Sequence, residues 1–273
     1  MTAPAAFVGF LLGALALSSV SACHIGQVPQ RSAADILAQP GHAWIHDSTL
    51  HTRIHYLAGS PAADSLVRLK REIEAAWTSA ANFVGDTSDV RPVDVFAVPT
   101  RAMVGEVAGL PIMTNALNFW EKRVVVIWIA PRGWPGPHEF VHILAFDAWG
   151  PAKEWWLGEG VAVAAGRWLG TDVDAYARCL SDAGRLLPLD RIIPQLQGSQ
   201  TDEALAQVTY PEVGSFVRYL IRHDGRDRIA SVYAKGAAAV PATYGRSIDA
   251  LEREWRAYLA TVDAGRISCA LRG

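Results

Sequence analysis

Charge of either sign is scarce in this chain, and the two signs nearly cancel. Lysine and arginine together number 25 and the acidic residues 27, for a formal net charge of −2 and a charged fraction of 19%. A nucleic-acid-binding chain needs a basic stripe or patch, and none is present, so we predict no nucleic-acid partner. The length of 273 residues and the low charge predict a compact globular protein, with one domain divided into two subdomains.

Cysteine is also scarce, with three in the chain at Cys23, Cys179 and Cys269. In an exported protein, Cys179 and Cys269 could pair and close a long loop. They could equally remain two buried thiols, because the sequence does not show the distance between them.

The only long apolar run is N-terminal, from Phe7 to Ala22, and it is too short and too weakly flanked for a transmembrane span. It ends in Val20-Ser21-Ala22-Cys23, which resembles the lipobox of bacterial lipoproteins. The resemblance implies a signal peptide at 1–22, lipidation of Cys23, a linker at 23–40, and export to the bacterial cell envelope with a membrane anchor. One departure is that no lysine or arginine precedes Arg31. An ordinary secreted or periplasmic protein and a retained N-terminal anchor are the alternatives.

The most informative stretch is His138-Glu139-Phe140-Val141-His142, which reads H-E-x-x-H inside an apolar run. Residues four apart share one face of a helix, so both imidazoles can reach a single metal ion. Glu139 supplies a carboxylate that can take a proton from water. The alternative is an amphipathic helix with two hydrogen-bonded histidines. A carboxylate on such an apolar helix costs desolvation free energy unless a metal or partner offsets it, which favours the metal site.

A catalytic zinc site usually has three protein ligands, and the next segment offers the third. Residues 156–162 read W-L-x-E-G-x-A, and this string at this distance from H-E-x-x-H resembles the gluzincin zinc metallopeptidases. The resemblance implies that Glu159 joins His138 and His142 around one Zn²⁺ per chain. It also implies an α+β, zincin-like fold, with a mixed α/β subdomain at 41–150, a helical subdomain at 151–273 and the metal site in the cleft between them.

The same resemblance implies a zinc-dependent peptidase that hydrolyses proteins or peptides of the cell envelope, with Glu139 as general base. A zinc-containing, non-catalytic lipoprotein that binds peptides or envelope material is the alternative. Many gluzincins stabilise the oxyanion with a C-terminal Tyr or His, for which Tyr210 is the first candidate and His223 the second; a packing role for Tyr210 is the alternative. The family further implies that the strand before the metal helix, at 124–129, pairs with substrate.

Some gluzincins carry an acid one helical turn after the glutamate ligand, where this chain has Val163. Backbone carbonyls or Asp147 would then have to orient the two histidines.

Periodicity predicts the remaining elements. Strands are predicted at 42–46, 51–57, 93–98 and 123–130. A long helix is predicted from Ser60-Pro61 to a stop at Gly85, and a loop around Gly105 and Gly109. The C-terminal half is predicted to be all helical, with helices after the two metal helices at 172–186, 210–223, 226–234 and 247–262.

Overall fold

A computed structural model describes residues 29–85, 91–129, 134, 136–195, 203–265 and 267–269. The chain has an α+β fold, in which one mixed sheet lies in the first half and helices dominate the second. The strands are β1 (Trp44–Ser48), β2 (Thr52–Leu57), β3 (Val93–Val98), β4 (Ala116–Phe119), β5 (Val124–Trp128), β6 (Arg167–Trp168) and β7 (Thr171–Asp172).

The helices are α1 (Ala33–Leu37), α2 (Pro61–Asp64), α3 (Leu66–Val84), α4 (Arg101–Ala108), α5 (His138–Trp149), α6 (Trp155–Ala164), α7 (Val173–Asp182), α8 (Leu189–Gln195), α9 (Glu203–Asp224), α10 (Arg226–Lys235), α11 (Val240–Tyr244) and α12 (Ile248–Leu259).

The five-stranded sheet has the order β1-β2-β3-β5-β4. Its three inner strands are parallel, and the edge strands β1 and β4 are antiparallel to their neighbours. The valine-rich sequences of β3 and β5 suit this position, because a strand covered on both faces reads as a continuous apolar run. β5 therefore lies inside the sheet, and β4 lies at its edge.

Successive residues of the inner strands pack into two separate hydrophobic cores, because side chains along a strand point alternately to opposite faces of the sheet. Val95 and Val125 face α3 and α5, where they join Ile73 and Phe140. Phe96 and Val126 face the other side of the sheet, where α1 and α4 pack. The sheet thus fixes α5, the predicted metal helix, on one of its two faces.

α6 is held in place by an unusually close approach to α9. A Cβ atom at Gly160 would lie 2.7 Å from Val213 Cγ1, and one at Gly214 would lie 2.3 Å from Val163 Cγ1. Such separations are too short for carbon atoms in contact, so glycine is required at both crossing points. The small residues after Glu159 therefore let α6 pack tightly.

Several sequence predictions are confirmed. The α+β class, the strands at 93–98 and 124–128, and the stop of α3 at Gly85 all match, and Gly85 has a φ of 81°. The predicted helix from Ser60 to Gly85 is broken once, at Ser65, into α2 and α3.

Within the predicted linker at 23–40, the structure has α1, which has a capping box formed by Ser32 and Asp35 and buries Ile36 against the sheet. Two other predictions were wrong. The passage around Gly105 forms α4 rather than a loop. The C-terminal half is not all helical, because β6 and β7 form a short hairpin.

Cys179 and Cys269 form a disulfide, with Cα atoms 6.0 Å apart. The bond links the segment around Cys269 to α7. The two cysteines are therefore paired, which the sequence alone left open.

Within the described residues, no helix combines the length and the apolar character needed to cross a bilayer.

Candidate metal centre

Two neighbouring helices bring the predicted ligands together. α5 begins at His138, so this residue and His142 lie on consecutive turns of one helix face. Glu159 lies in the middle of α6, which packs against α5, and its side chain points at both imidazoles. The sequence prediction of a three-residue group is therefore confirmed as a spatial cluster.

The distances within the cluster suit a single metal ion. His138 Nε2 lies 3.2 Å from His142 Nε2 and 3.3 Å from Glu159 Oε2, and His142 Nε2 lies 3.7 Å from Glu159 Oε1. A tetrahedral ion with bonds of about 2.0–2.1 Å to nitrogen and oxygen places its ligand atoms roughly 3.3 Å from one another. Two imidazoles and one carboxylate are a donor set found in catalytic zinc sites and also in non-haem iron sites.

The electrostatics of the cluster favour a bound cation. Burial alone would raise the pKa of Glu159, but His142 and His138 lower it to about 2, so this side chain is a carboxylate at neutral pH. Burial opposes the charged form of His138, yet the hydrogen bond to Glu159 and the charge of Glu139 raise its pKa. A buried carboxylate needs a positive partner, which either a protonated imidazole or a metal ion would provide.

Glu139, the predicted general base, lies in the first turn of α5 and has a defined partner. Asn118 Nδ2 donates a 2.7 Å hydrogen bond to Glu139 Oε2 across the gap between β4 and α5. Nothing in the sequence marks Asn118 as a partner of Glu139, because a single asparagine in a four-residue strand belongs to no motif. Only the fold reveals that this edge strand meets the metal helix.

The cluster opens to solvent on one side. The exposed fraction of the side chain falls from 32% for His138 to 12% for His142 and 9% for Glu159. A small molecule or peptide would therefore approach from the side of His138.

The strand predicted to pair with substrate was the wrong one. Residues 124–128 form β5, which is bonded to β3 on one side and to β4 on the other, so its ladder is already complete. The edge position next to the metal helix belongs to β4.

The remaining predicted residues have the following places. Tyr210 stacks on Trp168, with ring centroids 5.6 Å apart, and its role as oxyanion donor stays a prediction. His223 packs against the rings of Tyr219 and Tyr258. Cys23 and the signal peptide at 1–22 lie outside the described residues.

Asp147, a candidate for orienting the histidines, forms ion pairs with Arg123 and with Arg91. At the position where some gluzincins carry an acid, Val163 packs against Gly214.

No family model, no curated protein and no solved structure matches this chain.

Proposed function

We propose that this chain is a zinc-dependent peptidase with a zincin-like fold and a gluzincin arrangement of ligands. The observation that carries the proposal is the set of separations between the ligand atoms of His138, His142 and Glu159, which fit one tetrahedral ion. The neighbouring Glu139 adds the carboxylate that hydrolysis needs.

The residues take distinct roles. His138, His142 and Glu159 would hold the ion. When bound, zinc would supply Lewis acidity and lower the pKa of a coordinated water toward neutrality. Glu139 accepts a proton from the attacking water and returns it to the leaving amine. We also propose Tyr210 as the oxyanion donor, solely because many gluzincins have such a residue in their C-terminal half.

The proposed substrates are extended peptides or proteins of the cell envelope. Among the described strands, β4 pairs with β5 alone, so its other edge offers backbone N–H and C=O groups beside Glu139. A peptide that adds to such an edge is held by main-chain hydrogen bonds, which do not depend on its side chains.

The proposed location is the bacterial cell envelope, with a lipid anchor at Cys23 after removal of residues 1–22. Incubating cells with a palmitate analogue should label the wild-type protein and not a Cys23→Ala variant. Label that survives the substitution, or an unlabelled wild type, would exclude the anchor.

One preparation tests the peptidase proposal. Full-length protein purified in detergent should contain one zinc per chain, and Glu159→Ala should contain much less. Wild type should cleave members of a mixed peptide library, whereas Glu139→Gln should keep its zinc and lose cleavage.

Zinc without cleavage would favour the non-catalytic binding lipoprotein, and no zinc would exclude the metal site.

A further inference from the structure

Asn118 occupies a position where the fold calls for an apolar side chain. Alternate residues of β4 face alternate sides of the sheet, so Asn118 shares the α5 side with Ala116, which packs against the apolar core there. Leu117 and Phe119 point to the opposite core. An amide in this row contributes nothing to apolar packing.

The orientation of the Asn118 amide is determined by its partner. An ionised carboxylate only accepts hydrogen bonds, so the atom that faces Glu139 Oε2 at 2.7 Å must be the Nδ2 donor. This leaves Asn118 Oδ1 buried, with no hydrogen-bond partner among the described residues. A buried acceptor without a partner destabilises the folded state.

The fold thus tolerates a locally unfavourable group where Asn118 of β4 meets Glu139. Among the described residues, the one side-chain hydrogen bond of Asn118 reaches the proposed general base, while its backbone already belongs to the β4–β5 ladder. A carboxylate acting as general base must be held within hydrogen-bond reach of the proton that it takes. An amide fixed to a strand is well suited to limit the rotation of the Glu139 side chain.

We propose that Asn118 is a positioning residue, whose Nδ2–H group holds the Glu139 carboxylate toward the His138–His142–Glu159 site. The proposal rests on the proposed function, because a base needs positioning only if the site performs hydrolysis. It adds a second role for β4. Besides offering its backbone to a substrate, the strand supplies the Asn118 side chain that orients Glu139.

The chain offers a direct test of the contact that does not depend on activity. It contains three asparagines, of which Asn82 and Asn115 are exposed. Full-length protein labelled with ¹⁵N-asparagine should therefore give three side-chain amide pairs in an NMR spectrum. One pair should disappear in Asn118→Ala, and in wild type it should have a downfield proton that exchanges slowly with water. In Glu139→Ala this pair should shift to the range of the two exposed amides; an unchanged pair would overturn the proposal.

Kinetics test the consequence of the contact. Asn118→Ala should lower kcat about 10- to 100-fold, since a base displaced by roughly 1 Å loses this much, and should change KM by less than about threefold. Asn118→Leu, which keeps the approximate shape and lacks the N–H donor, should lose at least as much. Both variants should keep one zinc per chain and melt at no lower temperature than wild type, because each removes the unpaired Oδ1 acceptor. Asn82→Ala, the same change at an exposed position on α3, is the matched control and should leave kcat unchanged.

Three outcomes would overturn the proposal in distinguishable ways. Wild-type turnover in Asn118→Leu would show that no donor is needed, and would leave the peptidase function standing. A parallel loss of zinc or of melting temperature in both variants would assign Asn118 a structural role instead. A zinc-loaded wild type that cleaves no peptide would refute the proposed function and, with it, the need for a positioned base.

Discussion

Glu212 should make this protein lose stability as the pH rises. The side chain lies in α9 with 0% exposure. Burial raises the pKa of Glu212 to about 9, although the charge of Arg256 opposes the shift. The folded protein therefore keeps Glu212 protonated at neutral pH, whereas the unfolded chain ionises it above its ordinary pKa of 4.5.

The size of the effect follows from the two pKa values. Below pH 4.5 Glu212 is protonated in both states, so its ionisation does not change the free energy of unfolding. Between 4.5 and 9 the folded state alone holds it, so the free energy of unfolding falls by about 1.4 kcal/mol for each pH unit. At pH 7 the accumulated cost is about 3 kcal/mol, a large share of the typical 5–15 kcal/mol for a folded domain.

Glu212→Gln removes the ionisation and keeps the shape. The variant should match wild type near pH 4 and exceed its free energy of unfolding by about 3 kcal/mol at pH 7, measured by urea unfolding with the disulfide intact. Glu121→Gln makes the same change of charge at an exposed position and is the control, for which we expect a small difference that varies little with pH. A Glu212→Gln variant that is less stable than wild type at pH 7, or a difference that does not grow with pH, would refute the reasoning.

Two further predictions concern packing and the disulfide. Gly160→Ala should lower the free energy of unfolding by about 1–3 kcal/mol, because the methyl group would overlap Val213 on α9. Gly158→Ala on the same helix, with 3.5 Å to its nearest neighbour, should cost nothing, and equal effects of the two variants in thermal unfolding would contradict the close contact. Cys269→Ser opens a loop of 90 residues and should cost about 4–5 kcal/mol on the chain-entropy account. Dithiothreitol should lower the stability of wild type by a similar amount and leave that variant unchanged, while a variant as stable as wild type would show that the bond adds nothing.

The two histidines of the candidate metal site could be placed together from the sequence because their geometry is local. A spacing of four residues places His138 and His142 on one helix face whatever surrounds that helix. Glu159 needed a second motif, and its contact with both imidazoles depends on how α6 packs on α5.

What the sequence did not reveal depends on contacts between distant segments. Gly105 looks like a helix breaker, yet it lies inside α4. A glycine is needed there because a Cβ atom would be 1.9 Å from the carbonyl oxygen of Ile112. The strand β4 has four residues, too few for alternation to mark it, so its edge position and the role of Asn118 were missed. Likewise, the resemblance predicts substrate pairing at β5, whereas the edge position belongs to β4. Strand order is a property of the whole sheet, so the sequence does not show which strand lies at the edge.

The fit of Gly214 against Val163 makes these two positions one steric unit, with consequences for how the chain can vary. A side chain at position 214 would overlap Val163, so it would force α9 away from α6. Glu159 lies on α6, so its position depends on the distance between these two helices. Volume at position 214, in a helix that contributes no residue to the His138–His142–Glu159 group, is therefore a means by which mutation could move Glu159 without changing any residue of that group.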